Sequence, residues 1–288
     1  MKQMTDFPAT ERNIKQPIIL VGCPRSGTSL LGRLFAAHPD VAYWKEPRMI
    51  WNTGNQNLPD DVLTENNITT RVATEIDQRF ATFLKQNSKT RFAEKTPSNM
   101  LRLRFIHALY PDCFIIHIHR DPRPVVASAL RKLVVPPKLK RVIVRAREAR
   151  LSDWPGLIQL FFRDAIGRLF HGGKKSFWGP RPAGWKEWRP LSPVTMLSKQ
   201  WLALMETARH DLQQLPADSW MEICYEDLLR DHKRIVPELL KFTELEPSNE
   251  VNDLADEIIH PERADDWRQT LSPELQREIE KETAPHDS

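Results

Sequence analysis

The feature that most limits the fold of this chain is a glycine-containing loop between an apolar strand and a helix. Pro17 to Val21 is a short apolar run rich in β-branched residues, typical of a strand buried on both faces of a parallel sheet. The loop Gly22-Cys23-Pro24-Arg25-Ser26-Gly27-Thr28-Ser29 follows directly, and beyond it apolar residues recur with helical spacing. Because the N-terminus of such a helix presents backbone N–H groups to anions, the sequence predicts a phosphate-binding loop.

Strand and helix patterns alternate along most of the chain. Short runs with apolar residues predict further strands at 41–44, 114–119 and 220–224, and 91–95 is a candidate short strand. Helical spacing predicts helices at 68–84, 101–110 and 192–215 and after Asp121. We therefore predict one α/β domain over residues 1–288, with a P-loop-like parallel sheet of about five strands flanked by helices. Residues 134–193 break the alternation and are expected to form a helical or irregular insertion that caps the sheet.

Charge is distributed unevenly along the chain. The formal net charge is +4, yet residues 243–288 form an acidic segment with 14 acidic and 4 basic side chains, so the body before it is strongly basic. A basic body favours anionic ligands. The three cysteines are far apart and odd in number, which argues against a disulfide framework or a zinc site. The polar N-terminus lacks the apolar segment of a secretory signal, so we expect a cytoplasmic protein.

The loop has the glycine spacing of a Walker A motif but not its lysine. Thr28 stands in the lysine position, and Arg25 supplies a cation from within the loop. No acidic residue typical of a Walker B strand end is evident, so Mg²⁺-dependent phosphoryl transfer lacks two of its usual parts. A P-loop phosphotransferase or kinase stays open as an alternative. His119-Arg120-Asp121 imitates a protein-kinase triplet, but Val126 stands where that motif needs asparagine.

Two motifs together resemble a known enzyme family. Pro24-Arg25-Ser26-Gly27-Thr28-Ser29-Leu30-Leu31 resembles the 5′-phosphosulfate loop of sulfotransferases that use 3′-phosphoadenosine 5′-phosphosulfate (PAPS). His38-Pro39-Asp40-Val41 and Glu46-Pro47-Arg48 resemble the tyrosylprotein sulfotransferase branch in particular. Arg120-Asp121-Pro122-Arg123, with Ser128 beyond it, resembles the 3′-phosphate site of the same family.

The resemblance implies in-line transfer of a sulfuryl group from PAPS to a hydroxyl acceptor, with a role for each matching residue. Glu46 would be the general base, and Arg25 and Lys95 the cations at the group in flight. Arg25, Ser26, Gly27, Thr28 and Ser29 would hold the 5′-phosphosulfate. Arg120 and Ser128 would hold the 3′-phosphate, Tyr225 would contact the nucleotide, and Arg263 would belong to a C-terminal basic loop. No metal is implied.

Three of these residues also have a simpler interpretation. Glu46 would then be a surface carboxylate paired with Lys45 or Arg48, Lys95 an exposed lysine, and Tyr225 a core ring. His117 and His119 share one strand face, but no third metal ligand stands at a recognisable spacing.

The acceptor stays open between a peptide tyrosine, a glycan, a lipid head group and a small phenol. The basic first half of the insertion favours an anionic acceptor or a peripheral membrane contact. A non-catalytic anion or nucleic-acid binding protein is a further alternative. Nucleic acid is not expected as a partner, because the basic segment shows no helix-turn-helix, zinc-finger or RNP pattern.

Overall fold

A computed structural model describes residues 12–134 and 177–284 of the chain. Its centre is a five-stranded sheet in the order β2-β3-β1-β4-β5, in which every pair of neighbouring strands is parallel. The strands are β1 (Ile18–Val21), β2 (Val41–Lys45), β3 (Arg91–Lys95), β4 (Phe114–His119) and β5 (Trp220–Cys224). The predicted parallel sheet of about five strands is confirmed.

Helices connect these strands and cover both faces of the sheet. The first five are α1 (Thr28–Ala37), α2 (Arg48–Trp51), α3 (Thr70–Gln86), α4 (Leu103–Leu109) and α5 (Pro122–Val134). The later ones in the described ranges are α6 (Pro193–Leu212), α7 (Tyr225–Arg230), α8 (His232–Phe242), α9 (Asn249–Ile258), α10 (Asp266–Thr270) and α11 (Pro273–Thr283). None of the described helices has the length and apolarity that a membrane crossing requires.

The apolar core lies on both sides of the sheet, and every residue of β1 is therefore buried. Ile19 and Val21 face one cluster, which α3, α4 and α6 complete. Ile18 and Leu20 face the other, which receives residues from α1 and from α7 to α9. Alternate residues of one strand thus bind the two helical layers to opposite faces, as the uninterrupted apolar run of the sequence predicts.

Most of the predicted capping insertion, residues 135–176, lies outside the described residues. Its described end contains a 3₁₀ turn, Trp185–Trp188, and leads into α6. Phe177, Trp178 and Trp188 pack there on buried side chains of α5 and α6. Gln200 of α6 fixes this end by donating to the carbonyl oxygens of Trp178 and Pro180, at 2.9 and 2.7 Å.

The acidic C-terminal segment is helical and folded onto the body. Ile279 of α11 is fully buried beside residues of α5 and α6. On the same helix, Glu280 forms an ion pair with Arg123, and Glu282 accepts a hydrogen bond from Thr195 at 3.3 Å. These two acidic side chains therefore contact the body of the domain at α5 and α6.

Candidate functional site

The loop after β1 ends at the open N-terminus of α1. Gly27 has φ 93° and precedes the helix without a side-chain cap, so the first N–H groups of α1 face outward. A Cβ atom on Gly27 would lie 2.2 Å from Cδ2 of Tyr225, so only glycine fits. Thr28 is buried and Ser29 is exposed in the first turn. This is the geometry of an anion site.

Ser26 lies beneath the loop. Its Oγ donates to the carbonyl oxygens of Cys23 and Ile118 at 2.7 and 3.3 Å, and its backbone N–H donates to Cys23 at 3.1 Å. The hydroxyl is fully buried. Ser26 therefore maintains the shape of the loop and ties it to β4.

Arg25 and Ser128 are far apart in sequence but in contact in the fold. Arg25 Nε donates to Ser128 Oγ at 2.9 Å. Arg120 Nη1 donates to the Arg25 carbonyl oxygen at 3.2 Å, and its guanidinium lies over the ring of Tyr225, with Cζ 4.2 Å from the ring centroid. The structure thus brings the predicted 5′ and 3′ phosphate residues into one continuous site.

This site carries excess positive charge. Burial and the neighbouring charges of Arg120 and Arg131 lower the pKa of Arg25. Like charges that are held close together, at the open N-terminus of a helix, favour a bound anion. Arg25 also has φ 79°, a left-handed conformation that is uncommon for a residue with a side chain.

Glu46 and Lys95 form an ion pair at the carboxyl ends of β2 and β3. Lys95 Nζ lies 2.5 Å from Glu46 Oε1, and the backbone N–H of Glu46 donates to the Lys95 carbonyl oxygen at 2.9 Å. Lys95 is 2% exposed and Glu46 is 42% exposed. The interpretation of Lys95 as an exposed lysine is therefore wrong. Arg48, one of the two partners suggested for Glu46 from the sequence, forms an ion pair with Asp61 at 2.6 Å.

Asp61 was not identified from the sequence, because its environment comes from distant segments. The carboxylate has no exposed surface and accepts hydrogen bonds from Arg48, from Arg181 Nη2 and from the Arg181 backbone N–H. Burial alone would raise the pKa of Asp61, but these arginines outweigh it and hold the pKa well below its usual range. Asp61 therefore fastens the described end of the insertion beside Glu46.

Glu94 is a second carboxylate that the sequence analysis missed. It precedes Lys95 on β3, is fully buried, and accepts hydrogen bonds from Thr96 Oγ1 and Asn99 Nδ2, both at 2.6 Å. Burial raises the pKa of Glu94 to about 7. The carboxyl group anchors the turn that follows Lys95, and no sequence pattern distinguishes it from an ordinary surface glutamate.

Arg263 and Arg123 differ in how they are engaged. Arg263 is an exposed residue of the 3₁₀ turn Pro261–Ala264, which packs against α7. Arg123 is 2.6 Å from Asp121, forms an ion pair with Glu280 and lies over the ring of Trp267. Arg123 therefore connects the acidic segment to α5.

The two histidines of β4 lie beside Glu222 of β5. His117 is fully buried, with Nδ1 2.7 Å from Glu222 Oε2, and His119 Nε2 is 3.8 Å from Oε1 of the same carboxylate. Burial lowers the pKa of His119. In the described ranges, no group of three or more His, Cys, Asp or Glu side chains is arranged to hold a metal ion.

Comparisons with known proteins show what this chain is similar to. A family model described as "Sulfotransferase family" matches residues 17–165. Over 130 residues the chain is 31% identical to a Caenorhabditis briggsae protein named "Putative protein-tyrosine sulfotransferase", a stretch that is 42% of this chain and 45% of that protein. Over 124 residues it is 27% identical to nodulation protein NoeE of Sinorhizobium fredii, covering 38% of this chain and 30% of that protein. The chain thus spans less than half the length of these curated relatives.

Solved structures agree on the fold. The sulfotransferase domain from the curacin biosynthetic pathway matches with a TM-score of 0.54 and 17% identity, covering 93% of this chain and 97% of that one. The sulfotransferase domain of the Synechococcus PCC 7002 olefin synthase matches with a TM-score of 0.56 and 17% identity, covering 96% and 95%. At this identity the likeness is one of architecture.

Proposed function

Because the chain belongs to the sulfotransferase family, we propose that it transfers the sulfuryl group of PAPS to a hydroxyl acceptor. The observation that carries this proposal is that two arginine-containing subsites, one with Arg25 and one with Arg120 and Ser128, are in direct contact. Arg25 donates a hydrogen bond to Ser128, and Arg120 donates one to the Arg25 carbonyl oxygen. A nucleotide with phosphates at its 5′ and 3′ positions needs two such adjacent subsites. ATP, which lacks a 3′-phosphate, needs one.

The donor is proposed to lie across the ends of β1 and β4. The N–H groups at the start of α1, with the hydroxyls of Thr28 and Ser29, would hold the 5′-phosphosulfate. Arg120 and Ser128 would hold the 3′-phosphate by charge-assisted hydrogen bonds. Tyr225 lies between Gly27 and Arg120 and would contact the nucleotide. Arg263 would contact the 3′-phosphate from the outside of the site.

The acceptor hydroxyl is proposed to meet Glu46. Its oxygen attacks the sulfur atom as the bond from sulfur to the bridging oxygen of the donor breaks, its proton passes to the Glu46 carboxylate, and 3′-phosphoadenosine 5′-phosphate (PAP) leaves. Lys95 would exchange its contact with Glu46 for the bridging oxygen, where negative charge develops. Arg25 would stabilise the sulfuryl oxygens. Positioning and charge stabilisation carry this reaction, and the proposed scheme uses no metal ion.

The insertion is proposed to form the acceptor side. Its described end reaches Glu46 through the network of Arg181, Asp61 and Arg48, and the Arg48 N–H donates to the Glu46 carbonyl oxygen at 2.7 Å. The basic residues from Lys138 to Arg150 would favour an anionic acceptor, with a glycan, a lipid at a membrane surface and a peptide tyrosine as the classes to compare.

Titration calorimetry with PAP tests the donor site. We expect micromolar binding of PAP that exceeds the binding of 5′-AMP, and no stimulation of ATP binding by Mg²⁺. Incubation with PAPS and a panel of peptide tyrosines, phenols, glycans and lipids, followed by mass spectrometry, then identifies the acceptor. Failure to bind PAP would refute the sulfotransferase proposal, and Mg²⁺-dependent ATP turnover would support the phosphotransferase alternative.

A further inference from the structure

The carboxylate of Glu226 lies behind the guanidinium of Arg120, in the first turn of α7. Glu226 Oε1 is 3.5 Å from Arg120 Nε, and the two side chains are 12% and 16% exposed. Among the described residues, neither of these two atoms makes a hydrogen bond. Their ion pair is therefore what compensates the charge of each group in a largely buried position, where an unpaired charge is costly.

Two further contacts hold the same guanidinium. Nη1 donates to the Arg25 carbonyl oxygen at 3.2 Å, and the group lies over the ring of Tyr225. Together with Glu226 at Nε, these contacts restrain the orientation of the guanidinium. A planar guanidinium binds a phosphate through paired N–H groups, so its orientation matters for that contact.

Glu226 is itself held in place. Its Oε2 accepts a hydrogen bond from Cys224 Sγ at 3.2 Å, and the residue is buried. Its place in the first turn of α7 adds a favourable interaction with the positive end of the helix. A side chain whose position is fixed by its surroundings can fix the next one in turn.

We propose that Glu226 is a positioning residue that orients Arg120 toward the 3′-phosphate of the nucleotide. This inference rests on the proposed function and adds a residue to it. By charge alone, a carboxylate behind Arg120 weakens the binding of an anion. The orientation outweighs that effect, because an arginine that is already ordered loses less conformational entropy when it binds. The consequence is selectivity for nucleotides that carry a 3′-phosphate.

The test is calorimetric titration of the full chain with PAP and with 5′-AMP, which lacks the 3′-phosphate. The variants are Glu226→Leu, which removes charge and acceptor, and Glu226→Gln, which keeps an oxygen acceptor. Asp227→Leu is the matched control, since Asp227 is the next residue of α7 and its carboxylate is 61% exposed. Circular dichroism and thermal unfolding report whether each variant is folded.

We expect Glu226→Leu to lower the affinity for PAP about tenfold while the affinity for 5′-AMP changes by less than about twofold. The PAP affinity of Glu226→Gln is expected to lie between those of Glu226→Leu and the wild type. The PAP affinity of Asp227→Leu is expected to match that of the wild type. In an Arg120→Ala background, Glu226→Leu should cause no further loss of PAP affinity, because the two residues act as one unit.

Unchanged PAP affinity in Glu226→Leu would overturn the inference, as would an equal loss for both nucleotides. If Glu226→Leu does not fold, Glu226→Gln decides: a loss of PAP selectivity supports the inference, and wild-type selectivity overturns it. A wild-type protein that does not prefer PAP to 5′-AMP would overturn the proposed function and this inference with it, so the two failures are distinguishable.

Discussion

Replacing Glu46 with glutamine separates the chemistry at the end of β2 from its structural role. The wild-type carboxylate is 42% exposed and pairs at 2.5 Å with Lys95, which is 2% exposed. Glutamine keeps an oxygen where Glu46 Oε1 lies, so Lys95 retains an acceptor, but a neutral amide does not accept a proton as a general base must. We expect Glu46→Gln to fold, to bind PAP and to lose most of its turnover.

The expected sizes of the two effects differ. An ion pair with one buried and one exposed partner contributes more to the free energy of unfolding than a surface pair and less than a buried one, about 1–2 kcal/mol. Glutamine should lose about half of this contribution. The melting temperature should then fall by about 1–2 °C. Loss of a general base lowers the rate about 10²–10⁴-fold, which corresponds to about 3–5 kcal/mol in the barrier. The kinetic loss therefore exceeds what destabilisation can account for.

The assay measures product formation from PAPS at saturating donor, PAP affinity by calorimetry and thermal unfolding on the same preparations. Glu65→Gln is a matched control, because Glu65 is similarly exposed and pairs with Arg104 at 2.7 Å. Turnover of Glu46→Gln within about twofold of the wild type would refute the assignment of the base.

The next residue to test as the base would be His119, at the carboxyl end of β4. His38 precedes β2 at the opposite end of that strand, and His117 is fully buried in the sheet. Neither of these two histidines is therefore placed to meet an acceptor at Glu46.

Three further changes test other parts of the site. Gly27→Ala should lower the free energy of unfolding in urea titrations by about 2 kcal/mol or more and weaken PAP binding, because the new Cβ would overlap Tyr225 and the φ of this residue disfavours alanine. Wild-type PAP affinity in this variant would contradict the expectation. Arg120→Ala should raise the Kd for PAP at least tenfold in calorimetry, and Arg123→Ala, engaged by Asp121 and Glu280, should not; equal effects would contradict the assignment. Asp61→Asn should cost about 3 kcal/mol at neutral pH. Because folding lowers the pKa of Asp61, the contribution of its carboxylate to the free energy of unfolding is present above pH ~4 and is lost as the pH falls. The free energy of unfolding of Asp61→Asn, measured by urea titration, should therefore decline less steeply in acid than that of the wild type. Parallel declines of the two proteins would contradict this.

The sheet could be predicted because its signals are local. β1 is an uninterrupted apolar run, β4 is rich in isoleucine although it contains His117 and His119, and the loop before α1 carries its glycines at a fixed spacing. The strand ends then determine which residues meet, since parallel strands present their carboxyl ends at one edge of the sheet. That rule brings Glu46 to Lys95 across the pair β2 and β3, in which Lys45 and Lys95 are in register.

The remaining contacts depend on packing between distant segments. The hydrogen bond of Arg25 to Ser128 and the burial of Asp61 beside Arg181 join segments that are distant in sequence. The spacing of residues along the chain therefore does not predict them. Glu94 and Glu226 resemble any other glutamate in sequence, and only burial distinguishes them. The helices of the acidic segment were not predicted, because their charged residues obscure narrow apolar faces such as Val251 and Ala255 of α9.

The strand order divides the reaction into two halves on either side of β1. The proposed grip on the nucleotide uses the ends of β1, β4 and β5, whereas the proposed base and its lysine stand on β2 and β3. The described end of the insertion is anchored through Arg181 to the segment that follows β2. If the proposed sites are correct, substitutions on the β2 side would alter which acceptor is used while the donor-binding half keeps its residues. On this proposal the scaffold is modular, and new acceptor specificities are best sought by redesigning residues 47–61 and the insertion, with Glu46, Lys95, β4, α5 and α7 left intact.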